Sequence, residues 1–177
     1  MTLLRTWQGR RVGLAGIVLL VLASGCANAE PGVAAYVGDD RITQRQVDDA
    51  VDAISTILQQ GQAVSTQAIV NAMIHGAMSE QIAERQGIAI TDRDRVEVLQ
   101  NSNLAPLLEV PAAQPVLGDI ADQQIVLANL GQRYLTEIST INVTLNPRFG
   151  VLDPNQKTII TGQSSSLAEP VAATTTP

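Results

Sequence analysis

His75 is the only histidine in the sequence and therefore the only side chain that could act as an imidazole base. Residues four apart share one face of a helix, so Asn71 and Ser79 place His75 on the polar side of the helix predicted around it. A general base needs a nucleophile or a second acid within hydrogen-bond reach, and the spacing nominates neither. We therefore interpret His75 as a solvated or hydrogen-bonded side chain, and we expect no enzyme activity.

Two groups of carboxylates have the residue types of a metal site. Asp48, Asp49 and Asp52 lie on one predicted helix, where aspartates with an arginine four residues away are typical of an exposed face. Asp92 and Asp94 lie in the first turn of another helix, where negative side chains interact favourably with the helix dipole. That pair lacks the glycine and the closing glutamate of a calcium loop. The glycines form no phosphate-binding loop, so we expect neither a metal nor a cofactor.

Cys26 is the only cysteine, and it follows the pattern of an export signal. Three arginines within residues 1–11 precede an apolar run over 12–23, which is shorter than the ~20 residues of a membrane-spanning helix. The segment Leu-Ala-Ser-Gly-Cys at 22–26 resembles the processing motif of bacterial lipoproteins. This resemblance implies a signal peptide over 1–25 and a lipidated Cys26, with acyl chains such as palmitate, on the extracytoplasmic face of the cell membrane.

Two other interpretations of this segment stay open. Ala23 stands where the lipoprotein motif usually has leucine, so ordinary signal-peptide cleavage near Ala27 or Ala29 is one alternative. A small buried free cysteine is the other.

The charge and composition narrow the range of partners. The chain carries 17 acidic and 11 basic residues, and loss of the three signal-peptide arginines takes its net charge from -6 to -9. Such a protein lacks the basic surface that nucleic-acid phosphates require, so we expect no nucleic-acid partner. One cysteine and one histidine exclude both an intramolecular disulfide and a Cys/His zinc cluster.

The two ends of the mature chain have the composition of linkers. Residues 26–32 form a short polar tether, and residues 153–177 are rich in serine, threonine, alanine and proline. Such segments bury too little apolar surface to fold, so we predict a disordered tail over 153–177. A single domain over 33–152 then contains the fold.

Capping boxes and glycines define the first two helices. Thr43 and Gln46 predict the start of a helix that Gly61 ends. A second helix is predicted over 66–86, closed by Gly87, with an apolar surface wide enough to be contacted on two sides. The apolar stripe of the first helix consists of Val47, Val51, Ile54 and Leu58.

Three further helical segments follow. A capping box over 91–94 predicts a short helix with Val96 and Leu99 inside. Prolines then limit the chain to one turn over 104–108, before a long helix from 118 or 119 to about 139. The apolar repeat of that long helix consists of Val126, Leu127, Leu130, Tyr134 and Ile138.

Extended segments are predicted at both ends of the domain. Residues 34–37 and the turn after them predict a strand that resumes at Ile42, and residues 141–145 alternate between apolar and polar. Neither segment is stable alone. We therefore predict that they pair with each other and close a mainly α-helical domain.

The order of these pieces resembles a known chaperone family. The segment AYVGDDRIT at 35–43 is similar to the opening of the SurA/PrsA-like chaperone core, which is related to trigger factor. The segment AERQGIAITD at 83–92 is similar to a second motif of that family, and VTLNPRFG at 143–150 looks like the end of a subgroup of exported lipoproteins. The resemblance implies a SurA N-terminal-like helical domain over 33–152. Too few residues follow for a parvulin domain, so we carry over the chaperone-like fold and not prolyl isomerase activity.

Two functional classes follow from this resemblance. In the first, the protein is a holdase for unfolded or exported polypeptides, with Met73, Ile74 and Met78 on the client-binding surface, since methionine adapts to variable partners. In the second, it is a non-catalytic lipoprotein adaptor that binds one envelope protein. The bland interpretation of the same three residues is an ordinary core.

Overall fold

The computed structural model describes residues 30–56 and 64–160. Within them the fold is mainly helical, with five helices, five short strands and three 3₁₀ turns. The strands are β1 Val33–Val37, β2 Asp40–Thr43, β3 Val143–Leu145, β4 Val151–Leu152 and β5 Ile159–Ile160. The helices are α1 Gln44–Ser55, α2 Thr66–Gln86, α3 Asp92–Gln100, α4 Gln114–Leu130 and α5 Arg133–Ser139. The 3₁₀ turns are Ala105–Glu109, Pro111–Ala113 and Pro147–Phe149.

Some sequence predictions fall on residues outside these ranges. The signal peptide, Cys26, Leu58 and Gly61 are among them.

The predicted pairing of the two ends of the domain is confirmed. β1 lies between β2 and β3 in an antiparallel sheet, with Ala35 opposite Leu145. The pairing continues beyond the strands, because the Gly38 N–H donates to the Asn142 carbonyl at 2.8 Å and the Asn146 N–H donates to the Ala34 carbonyl at 2.9 Å. Strands from opposite ends of the domain are therefore joined by main-chain bonds.

The predicted starts of the first and third helices and the predicted end of the second are also confirmed, whereas α1 ends at Ser55, before the predicted Gly61. The Thr43 hydroxyl accepts the Gln46 N–H at 3.2 Å, and the Gln46 side chain accepts the Thr43 N–H at 2.7 Å. The same reciprocal box joins Thr91 and Asp94. α2 ends at Gly87, whose φ of +66° is readily adopted by glycine.

The predicted helix over 118–139 is wrong at its start and in its middle. α4 begins at Gln114, because Pro115 lies in its first turn, where a missing N–H costs nothing. The chain then turns at Gly131, with φ +53° and ψ −128°, before α5. The sequence did not indicate this break, because the apolar repeat continues at the same spacing on both sides of the turn.

Three further predictions are corrected. Val96, which was expected inside, and Leu127, which belongs to the predicted apolar repeat, are 42% and 44% exposed. The disordered tail was predicted to begin at 153, but β5 pairs with β4, and Ile159 is buried. The Ile159 N–H donates to the Asn71 side chain at 2.7 Å, so a side chain on α2 holds this segment in place.

α2 forms the centre of the fold. It packs against α1, α4, α5 and the sheet, as its wide apolar surface predicts. Its buried apolar side chains are Ile69, Val70, Met73, Ile74, Met78, Ile82 and Ala83.

α2 and α4 cross at Gly76. A Cβ built on Gly76 would lie 2.6 Å from the Asp119 Cα and would also overlap the Asp119 side chain. Real Cβ atoms do not approach backbone this closely. The absence of a side chain at Gly76 therefore sets the distance between the two central helices.

We expect Gly76→Ala to destabilise the protein by about 2 kcal/mol or more, since overpacking forces the backbone of α4 to shift. Gly118→Ala is the matched control, because a Cβ at Gly118 on α4 meets no atom within 4 Å. That control should be neutral or stabilise by up to about 1 kcal/mol, as alanine favours helix over glycine. Urea unfolding followed by circular dichroism measures both, and equal stabilities would contradict the crossing described.

Candidate functional site

The residues predicted to bind clients do not form a surface. Met73, Ile74 and Met78 are 6%, 0% and 0% exposed, because α2 is enclosed by its neighbours. The proposed client surface on these residues is therefore corrected, and they belong to the hydrophobic core. Met73 alone also reaches the wall of a cleft.

Two adjoining clefts lie along the α2–α4 crossing. A larger one of about 570 Å³ opens between α3, α4 and the 3₁₀ turns, and a smaller one of about 260 Å³ opens between β2, α1 and α2. Glu80, Pro115 and Asp119 line both clefts. We call the two together the acidic groove.

The walls of the acidic groove combine aliphatic and charged side chains. The larger cleft has an aliphatic wall of Val96, Leu99, Leu108 and Pro111. The smaller cleft has an aliphatic wall of Ile42, Ala50, Met73 and Ala77. Six acidic residues but only two arginines line the groove, namely Asp40, Asp49, Glu80, Asp92, Asp119 and Asp122 against Arg41 and Arg95.

Arg95 on α3 makes a two-pronged ion pair with Asp122 on α4. Its Nε and one terminal nitrogen donate to the two Asp122 carboxylate oxygens at 2.7 and 2.9 Å, and its other terminal nitrogen donates to Asp92 at 3.0 Å. The bond to Asp122 raises the pKa of Arg95 above its already high value. Because Asp122 is buried, the arginine both neutralises it and fixes α3 against α4.

Asp119 has no such partner among the described residues. Its burial, followed by the nearby charges of Asp122 and Glu80, raises the pKa of Asp119 to about 7. A carboxylate at this position is therefore only partly ionised near neutral pH.

His75 belongs to a separate, buried polar cluster. It is 6% exposed and its Nδ1 lies 3.3 Å from the Tyr134 hydroxyl, which also lies 3.1 Å from the Ser79 hydroxyl. The predicted solvated, polar face is thus wrong, whereas the hydrogen-bonded interpretation is confirmed. Burial lowers the pKa of His75, and its Nε2 is buried without a partner in the described structure.

The His75 cluster lies away from the two clefts of the acidic groove. Ser79 is completely buried, and none of the clefts described above includes His75 or Tyr134 among its lining residues. The cluster instead joins α2 to α5 through the Tyr134 hydroxyl.

The carboxylates considered for metal binding do not converge. Asp48, Asp49 and Asp52 are exposed on α1, and Asp92 and Asp94 serve the ion pair and the helix cap. Within residues 30–56 and 64–160, no group of three or more potential ligands could hold a metal ion.

No helix within residues 30–56 and 64–160 is long and apolar enough to cross a membrane.

Four charged residues of the acidic groove were not predicted from the sequence, namely Glu80, Arg95, Asp119 and Asp122. Asp122 offered a signal, because it lies four residues before the buried Val126 and so on the apolar side of α4. A carboxylate on a core-facing stripe requires a partner. No pattern in the nearby sequence identified Arg95 as that partner. No such pattern indicated that Glu80 lies close to Asp119.

Comparison with models of protein families, with curated proteins and with solved structures finds no match to this chain.

We expect Asp119→Asn to stabilise the protein at pH 8 and to do so much less at pH 5. The pKa of about 7 in the folded state lies above the ordinary aspartate pKa of 3.8, so the folded state binds more protons between these values and wild-type stability falls as the pH rises through them. Asparagine removes the buried charge with little change of shape. The gain at pH 8 should be on the order of a few kcal/mol.

Asp48→Asn on the exposed face of α1 is the matched control and should change stability little at either pH. Urea unfolding of both variants at pH 5 and pH 8 makes the comparison. An Asp119→Asn gain that is absent, or equal at the two pH values, would contradict the burial described for this carboxylate.

Proposed function

We propose that this protein is a membrane-anchored extracytoplasmic lipoprotein that binds unfolded or exported polypeptides, as a chaperone of the holdase type does. The acidic groove is the observation that carries the proposal. It is open to solvent and has aliphatic walls on both sides of the central crossing, which suits an extended chain with varied apolar side chains.

Two features of the chain support this proposal. The segments at 35–43 and 83–92 resemble those of SurA/PrsA-like chaperone cores. The antiparallel joining of β1 to β3 around a helical centre agrees with the fold that this resemblance implies. We propose binding without prolyl isomerase activity, since the segments that carry the resemblance belong to the chaperone core and not to a parvulin domain.

Client binding can be measured with residues 27–177, which contain every described residue. Trp7, the only tryptophan, lies outside this range, so client tryptophan fluorescence can be followed without interference. We expect saturable anisotropy changes with several unrelated unfolded clients, together with reduced aggregation. Leu135→Ser, an exposed position on α5 outside the groove, is the control and should bind as the wild type does. Absence of binding to every client would refute the proposal.

The anchor is proposed on Cys26. We expect Cys26→Ser in the full chain to lose incorporation of labelled palmitate and to move from the membrane fraction to the soluble fraction. Stable membrane attachment needs more than one acyl chain. All of the proposed acyl chains are on Cys26, so its replacement removes the attachment. Unchanged membrane association would instead favour ordinary cleavage near Ala27 or Ala29 and another means of attachment.

A second candidate is an adaptor that binds one envelope protein. It is favoured by the burial of Met73, Ile74 and Met78, which leaves few large apolar side chains exposed among the described residues. Those exposed are Val96, Leu127, Leu135 and Ile160. Recovery of one protein on immobilised residues 27–177, with no binding to unfolded clients, would support this candidate over the holdase.

A further inference from the structure

We propose that the acidic groove selects polypeptide segments in which arginine or lysine lies beside aliphatic residues, and that Glu80 and Asp119 receive the positive charge. This inference rests on the proposed function and specifies which polypeptides the site prefers.

The acidic groove carries more negative than positive charge. Both arginines of the groove already pair with carboxylates. Arg95 pairs with Asp122 and Asp92. A terminal nitrogen of Arg41 lies 3.8 Å from a carboxylate oxygen of Glu30. In the described structure Glu80 and Asp119 have no ion pair. Carboxylates without an ion pair therefore remain at the wall that the two clefts share. The nearby charge of Arg95 lowers the pKa of Asp119, but burial and the acidic neighbours outweigh it.

The surroundings of Asp119 make a cation a better occupant than a neutral group. A positive charge at the shared wall would offset the repulsion between Asp119 and its acidic neighbours, which helps to raise the pKa of Asp119. The elements around the groove contribute Glu80 from α2, Arg95 and Asp92 from α3, Asp122 from α4, Asp49 from α1, and Asp40 and Arg41 from β2. Acidic groups exceed basic ones on this list, so the balance favours an incoming cation.

The aliphatic walls supply the other half of the specificity. Lysine and arginine carry long methylene stems that pack on apolar surface while the charged end reaches a polar group. Val96 and Leu99 flank the larger cleft, and Ala77 flanks the smaller one. A segment that alternates aliphatic and basic residues would therefore contact the walls and the two carboxylates together.

The experiment compares three unstructured peptides that share the same aliphatic residues and differ at one position, which holds arginine, glutamine or glutamate. Fluorescence anisotropy of the labelled peptides with residues 27–177 gives the affinities. At pH 8 and low salt we expect the arginine peptide to bind about tenfold more tightly than the glutamine peptide, which corresponds to about 1.4 kcal/mol. The glutamate peptide should bind most weakly.

The arginine preference should respond to salt, pH and mutation in specific ways. It should shrink at high salt, because partly exposed charges are screened, and at pH 5, because Asp119 is then protonated. Glu80→Gln and Asp119→Asn should each lower the ratio of arginine to glutamine affinity severalfold. Asp48→Asn, outside the groove, should keep the wild-type ratio. Circular dichroism of each variant checks that the fold is retained.

The outcomes separate this inference from the proposed function. Equal binding of the three peptides, with unfolded clients still bound, overturns the charge selection and leaves the holdase proposal standing. A preference that survives in both Glu80→Gln and Asp119→Asn overturns the assigned residues. Failure of all peptides and all clients to bind overturns both proposals.

Discussion

At Gly76 the two central helices approach so closely that there is no room for a side chain between them. The rest of the structure depends on this contact. It allows α4 to pack closely along α2. It also brings the start of α4 to the middle of α2, so that Pro115 and Asp119 become the wall shared by two clefts. A wider crossing would leave the core less tightly packed and the groove without its shared wall.

The same close approach brings several carboxylates together. Two of them on α4, Asp119 and Asp122, have different surroundings. Asp122 is buried and held by both prongs of Arg95, which makes it part of the framework between α3 and α4. Asp119, one turn earlier on the same helix, has no cation of its own in the described structure, and its pKa rises instead. Asp122 thus stabilises the fold through an ion pair, whereas Asp119 is a carboxylate without an ion pair at the surface of a cleft.

Local signals predicted the local features of this fold accurately. Thr43 with Gln46, and Thr91 with Asp94, begin helices where expected, and Gly87 ends one. The joining of β1 to β3 was also predictable, because neither could be stable alone. The break at Gly131 was not predictable, because an apolar repeat can continue through a short turn. The position of Pro115 in a first turn was not predictable either, because proline is found both at the start of helices and just after their ends.

The candidate site was much less predictable than the fold. Met73, Ile74 and Met78 were correctly identified as apolar, but exposure depends on what covers a helix, and the sequence of that helix does not contain this information. His75 was assigned to a polar face from Asn71 and Ser79, yet its partner Tyr134 lies on α5. Glu80, Asp119 and Arg95 come from three helices, and only their packing brings them to one groove.

The position of β1 between β2 and β3 has a consequence for the order in which the chain can fold. β2 follows within the same hairpin, but β3 arrives only after all five helices. Closing such a long loop is slow compared with forming local contacts. In a chain that crosses a membrane from its N terminus, β1 would expose one unpaired edge until Val143–Leu145 emerged. An open edge of this kind accepts foreign strands, so a chain threaded in that order would pass through a stage that is vulnerable to misassembly.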